Sequence, residues 1–448
     1  MRRSPARPTD GLSPGWLPAR MLQIDLDEPI PSLPPPDSRA GPVGRRAWVL
    51  VRLHTRPLGT VELEVPDAGL EPSELAGRVW AGLEPAILAH LREDGLDPVG
   101  RLGAAGLPCT DRPPCRRIQD ELLADAPLVS VVVATRDRPR LLALCLASLQ
   151  GLAYPRYEII VVDNAPRGDE TLAVVGRIAG PAPVRYLHED QPGLSSARNR
   201  GLRAARGELV AFTDDDVLVD RYWLSHLAAG FRRAERVACV TGNILPAEIE
   251  TPAQLWVEQF GGLGKGYQRR IYDLGEHRAP GPLFPYAAGT FGSGANLAFE
   301  TGRLRAMGGF DPALSTGTVA RGGEDLAAFF AVLTSGFRLV YEPAAIVRHR
   351  HHRGEAELRR QLHGYGVGLT AYLTKVVLDD PRRALDLLGR IPEATAFLAR
   401  RQARRAASAG YLRVLAQTEL VGMAYGPLAY VRSRLRSRRR SARPRDGR

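Results

Sequence analysis

Apolar and polar positions change their rhythm twice along this chain. Through residue 44 there is no period at all. Pro, Gly and Arg dominate, as in Pro31-Ser32-Leu33-Pro34-Pro35-Pro36, and such a composition predicts disorder over 1–44. Ala47 to Leu53 and Thr60 to Val65 then read as strands around a Pro-Leu-Gly turn. From Pro72 to about Arg92 the period is helical, with Leu75, Val79, Leu83, Ile87 and Leu91 on one face. Pro85 should kink or split that helix. A small α+β unit (ββα, 45–97) is therefore expected, followed by a Pro- and Gly-rich linker over 98–126.

From Pro127 strands alternate with helices, the mark of an α/β fold with a mostly parallel sheet and flanking helices. The expected strands are Leu128–Ala134, Glu158–Val162, Val184–Leu187 and Leu209–Phe212. The helices are Arg140–Leu149 and Ser195–Arg206, the second stopped by Gly207. This region ends near residue 352. A helical C-terminal region (353–431) follows, with helices over Glu355–Leu373, Pro381–Ala407 and Tyr411–Val431. The last stretch, 432–448, is a basic tail.

The strand Leu209–Phe212 delivers Asp214, Asp215 and Asp216 together. Carboxylates so crowded repel one another unless a cation or hydrogen bonds neutralise them. Open α/β sheets bind ligands at the carboxyl ends of their strands. Thr135 and Asp163 arrive at two further strand ends. The cluster therefore reads either as a site for a divalent metal carrying phosphate or as a solvated acidic turn.

Composition changes this picture little. The formal charge of +12 is concentrated in the tail, where nine Arg face one Asp between Arg432 and Arg448. Four cysteines, Cys109, Cys115, Cys145 and Cys239, are too few and scattered for a disulfide framework. Around Cys109 and Cys115 no Cys or His pair completes a zinc set. No secretory signal and no apolar run long enough to span a membrane is seen. A cytoplasmic chain is expected.

Six motifs in order then resemble the family 2 glycosyltransferases with the GT-A (Rossmann-like) nucleotide-diphospho-sugar fold. They begin with Val129-Ser130-Val131-Val132-Val133-Ala134-Thr135 with Arg138-Pro139, and Glu158-Ile159-Ile160-Val161-Val162-Asp163-Asn164. Next come Gly193-Leu194-Ser195-Ser196-Ala197-Arg198-Asn199-Arg200-Gly201 and the acidic stretch. Gly292-Ser293-Gly294-Ala295-Asn296 and Gly323-Glu324-Asp325 complete the six, which close on Tyr341-Glu342-Pro343-Ala344 and His349. The resemblance covers 127–352.

The resemblance implies a metal-dependent, inverting transfer of a sugar from a nucleoside-diphosphate-sugar to a hydroxyl acceptor, in polysaccharide or glycoconjugate synthesis. Thr135 and Asp163 would face the base, and Arg198 and Asn199 would border the donor pocket. Asp214 and Asp216 resemble the DxD motif. Asp216 would bind Mg2+ or Mn2+, Asp214 would bind ribose or share the metal, and His349 would complete the metal shell. Asp215 falls outside this set. Asp325, beside Glu324, resembles the general base. Gly294 and Asn296 would shape the acceptor side, with Trp256, Tyr267 and Tyr286 as sugar-stacking or core aromatics. Ser195 suits a helix N-cap.

The acceptor stays open between glycan, lipid-linked and small-molecule hydroxyls. Tyr411–Val431 and the tail suit peripheral contact with anionic membrane on its inner face, or a packing helix with a charged end. Three rivals remain. A sugar-phosphate nucleotidyltransferase would want a Gly-rich basic loop after the first strand, where Ala134-Thr135-Arg136-Asp137-Arg138-Pro139 stands. A non-catalytic scaffold would not need the carboxylates, and nucleic-acid binding through the tail would want interleaved aromatics, so no specific nucleic acid is expected.

Overall fold

The computed structural model describes residues 19–36, 45–107, 112–406 and 411–441. The first unit comprises β1 (Ala19–Asp25), β2 (Arg46–Leu53), β3 (Arg56–Glu64), α1 (Pro72–Glu93) and α2 (Pro114–Ala124). The expectation of disorder through residue 44 is corrected for residues 19–36. Here β1 pairs in parallel with β2, register Met21↔Trp48 and Ile24↔Val51. Ile24, Leu26, Ile30 and Leu33 enter the same core as Val49, Val51, Leu75 and Val79. Enough apolar surface is buried to order a segment whose surrounding prolines hide its pattern.

Helix α1 does not break at Pro85. The carbonyl that Pro85 leaves unbonded belongs to Ala81, and both residues are exposed, so water satisfies it. The linker forms a helix of its own, α2, which packs on the next domain through α6 (Trp223–Phe231).

The central domain carries β4 (Val129–Thr135), α3 (Pro139–Gln150), β5 (Tyr157–Asn164), α4 (Glu170–Arg177), β6 (Val184–Glu189), α5 (Leu194–Ala204) and β7 (Leu209–Asp214). After these come β8 (Val217–Val219), α6, β9 (Val237–Pro246), α7 (Pro252–Gln259), β10 (Arg270–Tyr272), β11 (Asn296–Glu300), α8 (Thr301–Ala306), α9 (Glu324–Thr334) and β12 (Arg338–His349). They form an α/β fold around a nine-stranded sheet ordered β10-β12-β9-β11-β7-β4-β5-β6, with β8 paired to β12. Strands β6, β5, β4 and β7 make the parallel half. Beyond it β11 inserts antiparallel between β7 and β9, and β9 and β12 are parallel again.

Every residue of β4 and β5 is buried, as strands covered on both faces must be. Gly207 does not cap α5 in the left-handed region, since Ala205 ends that helix in extended geometry. It is glycine because a Cβ there would lie 2.6 Å from the Leu128 and Leu209 carbonyl oxygens.

Four helices follow: α10 (Glu355–Asp379), α11 (Arg382–Gly389), α12 (Ile391–Ala406) and α13 (Tyr411–Ser441). The stretch expected to divide into an apolar helix and a loose tail is one helix through Ser441. It lies along α10, and Cβ atoms at Gly366, Gly422 or Gly426 would strike the backbone or Thr370 Oγ1 of the facing helix. Pro427 does not interrupt it. The carbonyl it frees, that of Met423, accepts a hydrogen bond from Thr370 Oγ1 at 2.7 Å across the interface. No helix among the described residues is long and apolar enough to cross a membrane.

The start of α9 is fixed by contact with α10. Gly322 and Gly323 have φ of +145° and +96°, and a Cβ on Gly323 would lie 2.5 Å from the Gly368 carbonyl oxygen. Gly323→Ala is expected to cost about 2 kcal/mol or more, from left-handed strain plus this clash. Chemical denaturation checks it, and an unchanged midpoint would contradict the packing described.

Candidate active site

The sheet register brings the strand ends onto one rim. Thr135 lies beside Asp163 in the β4–β5 pairing, and Ala134 lies beside Asp214 in the β4–β7 pairing. Across from them the N-terminus of α9 presents Glu324 and Asp325, and the loop before β11 presents Gly294.

Arg198 on α5 ties these pieces together. It is 1% exposed. Its Nη1 donates to Glu324 Oε1 at 3.1 Å, and its Nη2 donates to Asp214 Oδ1 at 3.0 Å and to the Gly294 carbonyl at 2.8 Å. Phe310 packs on the guanidinium, 5.6 Å from its carbon to the ring centroid. The Gly294 N–H in turn donates to Asp325 Oδ2 at 2.8 Å, while Asp325 Oδ1 accepts from the Leu326 N–H at 2.8 Å.

Burial and the neighbouring Asp325 push the Glu324 carboxyl up to about 7, against the pull of Arg198. Its Oε2 has no hydrogen-bond partner.

A second cationic clamp lies beside the first. Arg138 Nη1 donates to Asp215 Oδ1 at 3.1 Å and to Asp216 Oδ2 at 3.0 Å. Asp215, 5% exposed, also accepts from Thr135 Oγ1 at 2.7 Å. Burial raises its carboxyl to about 6 despite Arg138. Asp215 thus anchors the turn from below.

Asp216 faces the other way. Its backbone carbonyl accepts from the Arg350 N–H at 2.9 Å, and its Oδ1 lies 3.3 Å from His349 Nε2. Burial opposes ionisation of Asp216, yet His349 and Arg138 hold its carboxyl well below the usual range. His349 Nδ1 is 3.3 Å from His351 Nδ1, and His351 Nε2 is 2.7 Å from Glu258 Oε1. With His351 donating to Glu258, its Nδ1 accepts from His349 Nδ1–H. In that arrangement His349 Nε2 faces Asp216, which, against the effect of burial, raises the imidazole's pKa and favours a proton between them; a cation bound there would take that proton's place. The unpartnered Asp216 Oδ1 and this nitrogen make a donor pair fitting a divalent cation.

Asp163 is fully buried and receives Tyr186 Oη at 3.1 Å on Oδ2. Burial raises its carboxyl, and Oδ1 lacks a partner.

Some expected site residues are engaged elsewhere. Asn199 clasps Phe310, donating to its carbonyl at 2.7 Å and accepting from its N–H at 2.9 Å. Asn296, fully buried, accepts from Trp223 Nε1 and donates to the Asn243 and Ala345 carbonyls, each at 2.8 Å. Both amides therefore cross-link backbone instead of facing a ligand. The Thr135 hydroxyl points to Asp215 rather than toward a base beside Asp163. Tyr286 is core, stacked on Phe330 with its hydroxyl on Asp386. Ser195 does not cap α5, because its hydroxyl donates to the Leu314 carbonyl. Arg138, Glu258 and His351 complete the site: Arg138 stood in the first motif without an assigned role, His351 was a weaker ligand candidate than His349, and Glu258 was missed. Glu258, on α7 and distant in sequence from every motif, carried no such signal.

A cavity of about 620 Å³ opens at the opposite ends of these strands, beside Glu208, Thr301 and Arg305. It lies away from the Asp214 rim, where the strand C-termini gather.

The fold and this rim define an α/β domain with a carboxylate-rich cleft at its strand ends. Comparison with known proteins shows what this domain is similar to. Residues 130–298 match the model for glycosyl transferase family 2. The chain is 30% identical over 224 residues to a pre-mycofactocin glycosyltransferase of Mycobacterium tuberculosis, covering 50% of this chain and 43% of that protein. It is 25% identical over 232 residues to a glucosyl-dolichyl phosphate glucuronosyltransferase of Haloferax volcanii, covering 50% and 69%. The chain thus spans less than half the length of its mycobacterial relative. A mannosyltransferase from Pyrobaculum calidifontis, solved with GDP-Man and Mn2+, superposes over 67% of this chain and 87% of its own at 20% identity, TM-score 0.46.

The elevated Glu324 carboxyl gives a pH signature. Its folded pKa lies above the unfolded value, so the stability it contributes is complete below about pH 4.5 and is lost as pH rises through about 7. Relative to Glu324→Gln, the native chain should lose ~2 kcal/mol across that window. Parallel denaturation curves at pH 5 and pH 8 check this, and a constant difference between the two proteins would contradict it.

Proposed function

We propose that the chain is a metal-dependent, inverting glycosyltransferase that moves a sugar from a nucleoside diphosphate to a hydroxyl acceptor. The observation that carries this reading is the set of unpartnered buried polar atoms on Asp163, Arg198, Asp216 and Glu324. Buried groups without partners are costly, and their concentration along one rim suits a ligand that would satisfy them.

In this reading the base and ribose lie over the Asp163 strand end. Asp216 and His349 would hold Mg2+ or Mn2+, which when bound offsets the charge growing on the diphosphate leaving group. Asp214, fixed by Arg198, forms the wall on the ribose side. Asp325, half-buried and held by the Gly294 and Leu326 amides, keeps second lone pairs to accept the acceptor's proton as the hydroxyl attacks the anomeric carbon. Glu324 lies beneath it, joined to Arg198. The acceptor class, among glycan, lipid-linked and small-molecule hydroxyls, follows from chemistry outside these residues. Peripheral contact of α13 with an anionic membrane belongs to the same proposal, since its outward Val421, Leu428 and Leu435 lie beside Arg432, Arg434 and Arg436.

Asp325→Asn should leave donor affinity within about threefold and lower turnover by at least about 10²-fold, the usual span for a general base. Glu324→Gln provides the comparison. Wild-type turnover by Asp325→Asn together with an inactive Glu324→Gln would overturn the assignment and transfer the role to Glu324. Asp216→Ala should weaken metal-dependent donor binding by at least about tenfold, read by titration calorimetry.

A further inference from the structure

Four side chains from three separate segments converge in the N-terminal unit, away from the strand-end cleft. His54 lies in the turn between β2 and β3, His90 and Asp94 are one helical turn apart at the end of α1, and Cys115 lies in the first turn of α2. One donor atom from each lies within 4.8 Å of the other three. His54 Nδ1 is 3.1 Å from His90 Nε2 and 3.0 Å from Asp94 Oδ2. His90 Nε2 is 3.3 Å from Asp94 Oδ2. Cys115 Sγ is 2.8 Å from that oxygen and 4.0 Å from His90 Nε2.

A tetrahedral zinc ion, with bonds of about 2.1 Å to N or O and about 2.3 Å to S, sets edges of about 3.3–3.8 Å between its ligands. The observed separations scatter around that range. Hydrogen bonding alone does not explain such mutual closeness. With Asp94 ionised, three protons are available, one from each imidazole nitrogen and one from the thiol; directed at Asp94 Oδ2 they leave the 3.1 Å approach of His54 Nδ1 to His90 Nε2 without one.

The surrounding chain holds these ligands in place. Asp94 Oδ1 accepts from the Cys115 N–H at 3.1 Å, which turns Oδ2 toward the other three atoms. His54 and Thr55 both have left-handed φ, +52° and +69°. A two-residue hairpin turn of this kind favours Asn-Gly, and a β-branched Thr there is strained, so tertiary contacts must sustain it. Thr55 Oγ1 lies 3.2 Å from Gln119 Oε1 on α2 and 3.1 Å from His226 Nε2 on α6.

We propose that His54, His90, Asp94 and Cys115 form a structural zinc site that staples the β2–β3 turn, the end of α1 and the start of α2. Two imidazoles, a thiolate and one carboxylate suit a borderline-soft ion and not Mg2+ or Mn2+. Four protein ligands, three of them buried, leave no open position, which marks a structural rather than a catalytic centre. Binding takes the Cys115 proton into solvent as the Sγ–zinc bond forms. Through Thr55 the staple sets how the unit seats on α6, beside the Arg52–Asp220 ion pair at 2.7 Å. No other ligand is a sequence neighbour of Cys115, which is why spacing around it alone shows no zinc pattern; Cys109 lies outside the described residues.

The test uses the full chain. Elemental analysis of the purified protein should find stoichiometric zinc. Replacement by Co2+ should give the intense visible bands of a tetrahedral site and a near-ultraviolet sulfur-to-cobalt charge-transfer band. Cys115→Ser should lose the charge-transfer band and at least about tenfold in zinc affinity. Asp216→Asn, in the other cluster, should keep both. The cobalt spectrum of the unsubstituted chain needs no variant, so misfolding of one cannot mask the answer. A chain that purifies without zinc and gives only weak octahedral cobalt absorption overturns the proposal, as does a Cys115→Ser protein with zinc and spectrum unchanged.

Discussion

The buried Arg198 guanidinium is the constraint on which the cleft depends. A cation at that depth is tolerable only when paired and hydrogen-bonded. Its partners come from three separate elements: Asp214 at the end of β7, Glu324 at the start of α9, and the Gly294 carbonyl before β11. Removing the arginine would leave the buried Glu324 and the partly exposed Asp214 without the cation they share. The same contacts that stabilise Arg198 therefore fix the distance between the acidic strand end and the Glu324-Asp325 pair. Gly323, pressed on the Gly368 carbonyl, fixes the far side. Function here follows from packing, because α10 and α13 hold the floor on which α9 begins.

The acidic triplet divides by environment. Asp215 is tethered below by Thr135 and Arg138, Asp214 is claimed by Arg198, and Asp216 faces His349. Three adjacent residues of one type acquire three environments, because β7 ends at Asp214 and the turn through Asp215 and Asp216 into β8 sends the side chains in different directions. Behind His349, the His351–Glu258 contact orients the ring, so α7 takes part in the site without touching its centre.

Much of this was legible in the sequence where local pattern and burial agree. β4, β5 and β7 are apolar runs because parallel strands are covered on both faces, and their carboxyl ends fall where the motifs stand. The antiparallel strands were not legible. β11 has five residues, and β9 contains Gly242 and Asn243, which break any simple pattern. Nor could the sequence decide which way an amide points. Asn199 and Asn296 stand in site-like motifs, yet each is taken by backbone groups more than 40 residues away. β1 was hidden by the prolines around it, and the continuity of α13 by Pro427, whose freed carbonyl finds Thr370 on another helix. Long-range pairing decided each of these cases.

The central claim is that the Asp214–Asp216 rim is a nucleoside-diphosphate site that requires a divalent cation. Titration calorimetry of the full chain with UDP, GDP and dTDP, each with and without Mn2+, tests it most directly. The account predicts saturable binding of one of these diphosphates at least about tenfold tighter with the cation, as expected where metal and diphosphate share ligands. Binding unaffected by Mn2+, or no binding of any of the three, would contradict it.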